Sequence, residues 1–224
     1  MLVVEGDTLL REGNGTLARL GPSREITWVD AAFFCRKGSK LLLGHSSARF
    51  RFLGETTFSF GETGIVLRSG ALLADLRTQG TMRLDGFDAR LQVSGKCVLL
   101  IQATTNGGLK LIDLAGRATV EEVRPSVAVV NLSPGELVFA KPLGKGFSDK
   151  LNVNLKTLVA TSALIHEFPD SGGLRRDLAR AVLEQETLIS KRYRAVVGDA
   201  RTPDTFDIRE LPATRDGNGT KSGG

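Results

Sequence analysis

Cysteine and histidine are scarce in this chain, two of each in 224 residues. Cys35 and Cys97 lie far apart and form no C-x-x-C pair, and neither His45 nor His166 has a partner at metal-ligand spacing. A zinc centre would need four ligands gathered from distant positions, so no metal-ligating residue is expected. No G-x-S-x-G surrounds a nucleophile, and the spacing around Ser46 and Ser47 supports no nucleophile–His–acid set. Gly144-Lys145-Gly146 lacks the rest of a phosphate-loop pattern and reads as a surface turn. No catalytic or cofactor-binding residue and no cofactor is therefore expected, and the chain does not read as an enzyme.

Long apolar runs are missing too. No segment approaches the ~18 consecutive apolar residues of a membrane span. Met1–Asp7 lacks the basic and apolar regions of a secretory signal. Either the protein stays inside the cell or its natural start lies upstream, since the chain opens as if in mid-strand. Charge is modest, net +5, and the basic residues are scattered without a dense run. Neither a basic stripe nor a nucleic-acid module is present, so no nucleic-acid partner is expected.

What the chain does have is an ample apolar fraction, 41%, and 26 glycines. The glycines fall between apolar runs and so read as turns and bulges of a β chain. Over the first 140 residues, apolar positions alternate or cluster over about four to eight residues and then break at Gly, Pro, Asn or Asp. Candidate strands are 2–4, 16–20, 25–29, 32–36, 40–43, 49–53, 57–60, 64–67, 71–76, 81–84, 89–93, 96–103, 109–114, 118–123, 127–132 and 137–140. Such spacing without intervening helices predicts a sandwich, barrel or β-solenoid.

Two turns are well specified. Asn106-Gly107-Gly108 supplies positive φ for a hairpin, and Pro134-Gly135 has the type II pattern. Phe50/Phe52 and Phe58/Phe60 alternate, so each pair shares a strand face. Core packing is the favoured reading, with a stacking platform for sugars or bases as the alternative, and Arg49 and Arg51 then fall on a solvated face. Glu121 and Glu122 are adjacent on a strand and point to opposite faces, which excludes an acid/base dyad between them. The cysteines either form one disulfide in an oxidising compartment or are buried thiols, and their apolar neighbours favour the second.

After about Lys150 the period changes. Asn154 can cap a short helix with Leu155, Leu158, Val159 and Ile165 near one side. Residues 168–173 form a break. A second helix follows, with Leu174, Leu178, Ala181, Val182, Leu188, Ile189 and Tyr193 at helical spacing and predicted to pack on the β domain. From Asp199 the chain is polar, and its tail is expected to be disordered.

Several segments resemble the FecR domain, an all-β module of bacterial cell-envelope regulatory proteins. They are Phe52-Leu-Gly-Glu-Thr-Thr-Phe-Ser-Phe60, Leu67-Arg-Ser-Gly-Ala-Leu-Leu73, Ala89-Arg-Leu-Gln-Val-Ser-Gly95, Leu109–Val120 and Leu132-Ser-Pro-Gly-Glu-Leu-Val138, preceded by Gly6-Asp7-Thr8-Leu9-Leu10. They are similar, in order, to the family's "G-x-x-T", "L-x-x-G-x-L", "V-x-G-T", "L-x-G-x-V", "L-x-P-G" and opening "G-D-x-L" signatures. One departure stands out: Lys96 occupies the position where the family has threonine after the turn glycine.

The resemblance spans roughly residues 2–145 and looks most like exported, stand-alone FecR-domain proteins that lack the regulator's membrane span. It implies an all-β, solenoid or jelly-roll-like domain over 1–150, with a helical extension at 151–198 and a tail at 199–224. It further implies a non-enzymatic role in protein–protein interaction or signalling, a protein partner, and a periplasmic or envelope setting, or a cytoplasmic one if Met1 is the true start. The alternatives are a self-assembling β-solenoid scaffold and a carbohydrate- or ligand-binding module using the phenylalanines of 50–60 or Trp28.

Overall fold

In a computed structural model, residues 2–13, 15–21, 31–45, 48–61, 64–123, 128–169 and 173–192 are described. Fifteen strands form one sheet: β1 (Leu2–Glu5), β2 (Thr8–Arg11), β3 (Leu17–Arg19), β4 (Ala32–Cys35), β5 (Lys40–His45), β6 (Ala48–Leu53), β7 (Thr56–Phe60), β8 (Gly64–Ser69), β9 (Ala71–Asp85), β10 (Arg90–Ala103), β11 (Leu109–Gly116), β12 (Ala118–Glu122), β13 (Val129–Leu132), β14 (Glu136–Ala140) and β15 (Leu151–Asn152). Three helices follow, α1 (Leu155–Thr161), α2 (Ala163–His166) and α3 (Leu174–Arg192). The main path runs β15-β14-β11-β10-β9-β8-β7-β4-β2-β3, and among the described residues every ladder is antiparallel except β8 with β9. The expected β class with C-terminal helices is what the chain adopts.

Two pairs of expected strands prove to be single ones. Residues 71–76 and 81–84 both belong to β9, and 89–93 and 96–103 to β10. Each long strand serves two sets of neighbours. One half of β10 pairs with β11 from Cys97 onward, and the other pairs with β12 up to Ser94. At the junction the β9–β10 register slips between Gly95 and Cys97: Lys96 alone stands against residues 77–79, so the extra residues are on β9. Gly95 (φ +118) and Gly116 (φ +92) face each other across this corner. A Cβ on Gly95 would strike the Arg117 carbonyl, and one on Gly116 the Lys96 carbonyl. Glycine alone permits both the left-handed backbone and the close approach. The sheet therefore curls on itself here into a half-barrel.

The inner face of the curl holds one core. It includes Phe33, Phe52, Phe58, Leu72, Leu84, Leu91, Leu99, Leu111, Val120 and Val138, drawn from both halves. Phe52 and Phe58 stack at 3.7 Å, and Phe33 and Phe58 at 4.8 Å. Such pairs add about 0.5–1.5 kcal/mol beyond area burial. The outer face is covered by the helices, whose Leu155, Leu164, Ile165, Leu174, Leu178 and Ala181, with Phe168 just after α2, pack on Leu42, Leu73, Val98, Ile112 and Leu114. Hence β11 is buried along both faces until Gly116.

Arg51 joins the layers and corrects the sequence expectation. It is 1% exposed rather than solvated. Its guanidinium donates to the carbonyls of Leu164 and Ile165 (both 3.2 Å) and Pro169 (3.1 Å), and lies 5.4 Å from the Phe168 ring centroid. The alternation correctly put it opposite Phe50 and Phe52, but that face is helix-covered. Gln185 of α3 acts similarly. It accepts from Leu155 N–H and donates to the Val153 carbonyl, and its amide fills the space a Cβ on Gly135 would need.

Asn154 caps α1 by accepting from Thr157 N–H, as expected. The single short helix is in fact two, broken at Ser162, whose backbone is extended. In α3, Leu174, Leu178 and Ala181 pack as predicted, whereas Leu188 is 56% exposed. Strands β2 and β15 were not expected. The candidate strand at 25–29, Tyr193 and the tail at 199–224 lie outside the described residues.

Candidate functional site: the closed mouth and the α3 groove

The curl closes on itself at the end opposite the glycine corner. The β9–β10 loop (Gly86–Ala89), the β10–β11 loop (Thr104–Gly108) and the loop after β14 (Lys141–Gly146) meet there. Asp88 N–H donates to the Gly107 carbonyl at 3.0 Å, and the Asp88 carbonyl accepts from Leu143 N–H at 2.8 Å. Gly146 N–H donates to the Glu122 carboxylate at 3.1 Å. Within the second loop, Asn106 accepts from Thr104 hydroxyl and Gly108 N–H, and Gly107 takes φ +87, so the predicted turn forms.

Two apolar side chains project from this mouth. Phe87 is 72% and Leu143 65% exposed. Leu143 also has φ 61 and ψ 30, within the short 3-10 turn Pro142–Gly144. A branched residue in the left-handed region carries a strain of roughly 1 kcal/mol or more that glycine would avoid.

A second feature lies between the corner and α3. A groove of about 530 Å³ is lined by Asp75, Lys96, Val98, Arg176, Arg180 and Glu184, among others. Lys96, the departure from the family pattern, sits here exposed at the register slip rather than in the core. With Asp177, the groove presents three cations and three anions. That balance selects neither an anionic nor a cationic ligand.

Three buried groups have their ionisation suppressed, and one of them, Cys97, lines the groove. Burial pushes the Cys97 thiol up to about 12, helped by the nearby Asp113 and Asp75 carboxylates, and the Cys35 thiol up to about 11, partly offset by the Thr8 hydroxyl. Both are free and buried, which is the favoured of the two expectations. A thiol held in that range is a poor nucleophile at neutral pH. Asp113 is fully buried. Desolvation pushes its carboxyl up to about 8 against the Ala115 and Ala118 N–H groups, with Glu136 adding to the rise. Its Oδ2 has no hydrogen-bond partner.

The remaining sequence candidates do not converge. His45 ends β5, and His166, in the last turn of α2, contacts the Val159 carbonyl at 2.7 Å. Phe50, Phe52 and Phe58 are buried, so those rings offer no platform to a ligand. Trp28, Ser46 and Ser47 lie outside the described residues. Glu122 is buried on the mouth and Glu121 is half-buried, consistent with opposite faces. Gly144-Lys145-Gly146 is a surface turn, as read. Among the described residues, no group of three or more His, Cys, Asp or Glu is placed to hold a metal.

No family model and no curated protein matches the chain. Among solved structures, a candidate anti-sigma factor from Parabacteroides distasonis is similar over 72% of this chain and 91% of its own, with 10% identity and a TM-score of 0.40. That likeness assigns no residue role here.

Sequence reasoning missed the mouth. Phe87 in Asp85-Gly86-Phe87-Asp88 and Leu143 in Pro142-Leu143-Gly144 are each a large apolar residue inside turn-forming neighbours. That local contrast was the available signal.

Proposed function

We propose that this chain is a non-enzymatic FecR-like β domain that acts by binding a protein partner in signalling at the cell envelope. The observation that carries the reading is the behaviour of the resemblance's own glycines. Gly95 and Gly116 come from two separate signatures and meet at one corner, where each is held at positive φ against the other's strand. Gly135 of the "L-x-P-G" signature ends in the expected turn, with Glu136 N–H donating to the Ser133 carbonyl at 2.9 Å. The motif glycines thus serve one structural unit, which supports the reading. The inert thiols and the charge-balanced groove are in keeping with binding rather than turnover.

The test joins an assay to a location. The purified chain is screened against hydrolase, transferase and oxidoreductase substrates, and the source cells are fractionated and cross-linked. The reading expects no turnover and a specific protein adduct in the envelope fraction. Turnover by the purified chain contradicts it.

A further inference from the structure

Phe87 and Leu143 are large apolar side chains that the core does not use. Exposed apolar residues scattered singly need no explanation. These two are different, because Leu143 N–H is bonded to the carbonyl of Asp88, the residue after Phe87. The same Asp88 is bonded through its N–H to Gly107, so the two loops are tied to a third. Leu143 is further held in a backbone conformation better suited to glycine, with its side chain in solvent. Neither local geometry nor packing accounts for a leucine there.

The fully exposed charges around the pair are positive. Lys141 and Lys145 flank Leu143 two residues to either side and are exposed, as is Arg90 beyond Phe87. Of the nearby carboxylates, Asp85 pairs with Arg83 at 3.1 Å, buried Glu122 accepts from Gly146 N–H, and half-buried Asp88 places its carboxylate beside Gly107. The geometry points to a docking tip at the mouth of the curl. Phe87 and Leu143 enter an apolar pocket on a protein partner, and Lys141, Lys145 and Arg90 face an acidic rim around it. Anchors of this kind on a rigid loop lose little conformational entropy on binding. The inference rests on the interaction reading above and names its surface and the partner's chemistry.

A displayed library of random twelve-residue peptides, selected on the full chain, tests it. The enriched peptides are expected to combine Asp or Glu with apolar residues. Their binding should fall at least tenfold on Leu143→Gly, on Phe87→Ser and on the double variant Lys141→Glu/Lys145→Glu. Glycine suits the backbone at 143, so that variant keeps the test interpretable even if Phe87→Ser fails to fold. Peptides that bind wild type and Leu143→Gly equally overturn the tip while leaving an interaction domain with its site elsewhere. Enrichment of basic peptides overturns the acidic rim. No enrichment overturns the tip and removes support from the interaction reading as well.

Discussion

Asp88 and Gly107 flank opposite ends of β10, yet the Asp88 N–H donates to the Gly107 carbonyl at 3.0 Å. A straight strand of this length would hold its ends about 45 Å apart. The contact is possible only because the strand turns at the register slip beside Gly95, and the same turn is made next door at Gly116. One corner thus sets both the inner core and the mouth.

Alanine at either corner glycine should be costly. A methyl group would meet a neighbouring carbonyl and force a backbone that L residues disfavour. Gly95→Ala and Gly116→Ala should each lose about 2–4 kcal/mol in urea unfolding. A loss below about 0.5 kcal/mol would remove the corner from the account.

Arg51 should matter to the helices more than to the sheet. Arg51→Met leaves the Leu164, Ile165 and Pro169 carbonyls without their donor, at about 2–4 kcal/mol. Hydrogen exchange should rise first in α1 and α2. Arg51→Lys should not restore protection, because one ammonium cannot reproduce the planar fork. Full rescue by lysine would argue against the assigned contacts.

The thiols give a chemical check. With Cys35 and Cys97 pushed to about 11 and 12, an aromatic disulfide reagent at pH 8 should leave the native chain unmodified. Both thiols should react once the chain is unfolded in guanidinium. Rapid native labelling of either would contradict its burial.

Asp113 predicts a pH dependence with a definite sign. Its folded pKa of about 8 exceeds the reference 3.8, so the native state holds its proton more tightly. The stability from this group is fully present below about pH 3.8 and is lost as pH rises through about 8. Urea midpoints measured from pH 4 to 9 should fall more steeply for wild type than for Asp113→Asn. Parallel curves would mean the carboxyl is not desolvated.

Much of the sheet was legible in the sequence because short apolar runs ending at glycine are local signals. The merging of 71–76 with 81–84 was not, since Gln79-Gly80 reads equally as a turn or as a bend. Only the partner ladder on β10 decides between them. Arg51 was misplaced for a related reason: alternation assigns a face but says nothing of the helices that later cover it. Leu188 failed in the opposite sense: its spacing fits the packed face, yet it is exposed. The mouth is formed by three loops distant in sequence, so only closure of the fold brings Leu143 onto Asp88.

The most direct measurement is the urea midpoint of Leu143→Gly against wild type. If the leucine is kept for contact rather than for folding, removing it relieves the left-handed strain, and stability should be unchanged or raised by up to about 1 kcal/mol. A loss of more than about 1 kcal/mol would show Leu143 to be part of the fold's own packing and would contradict its assignment to a partner.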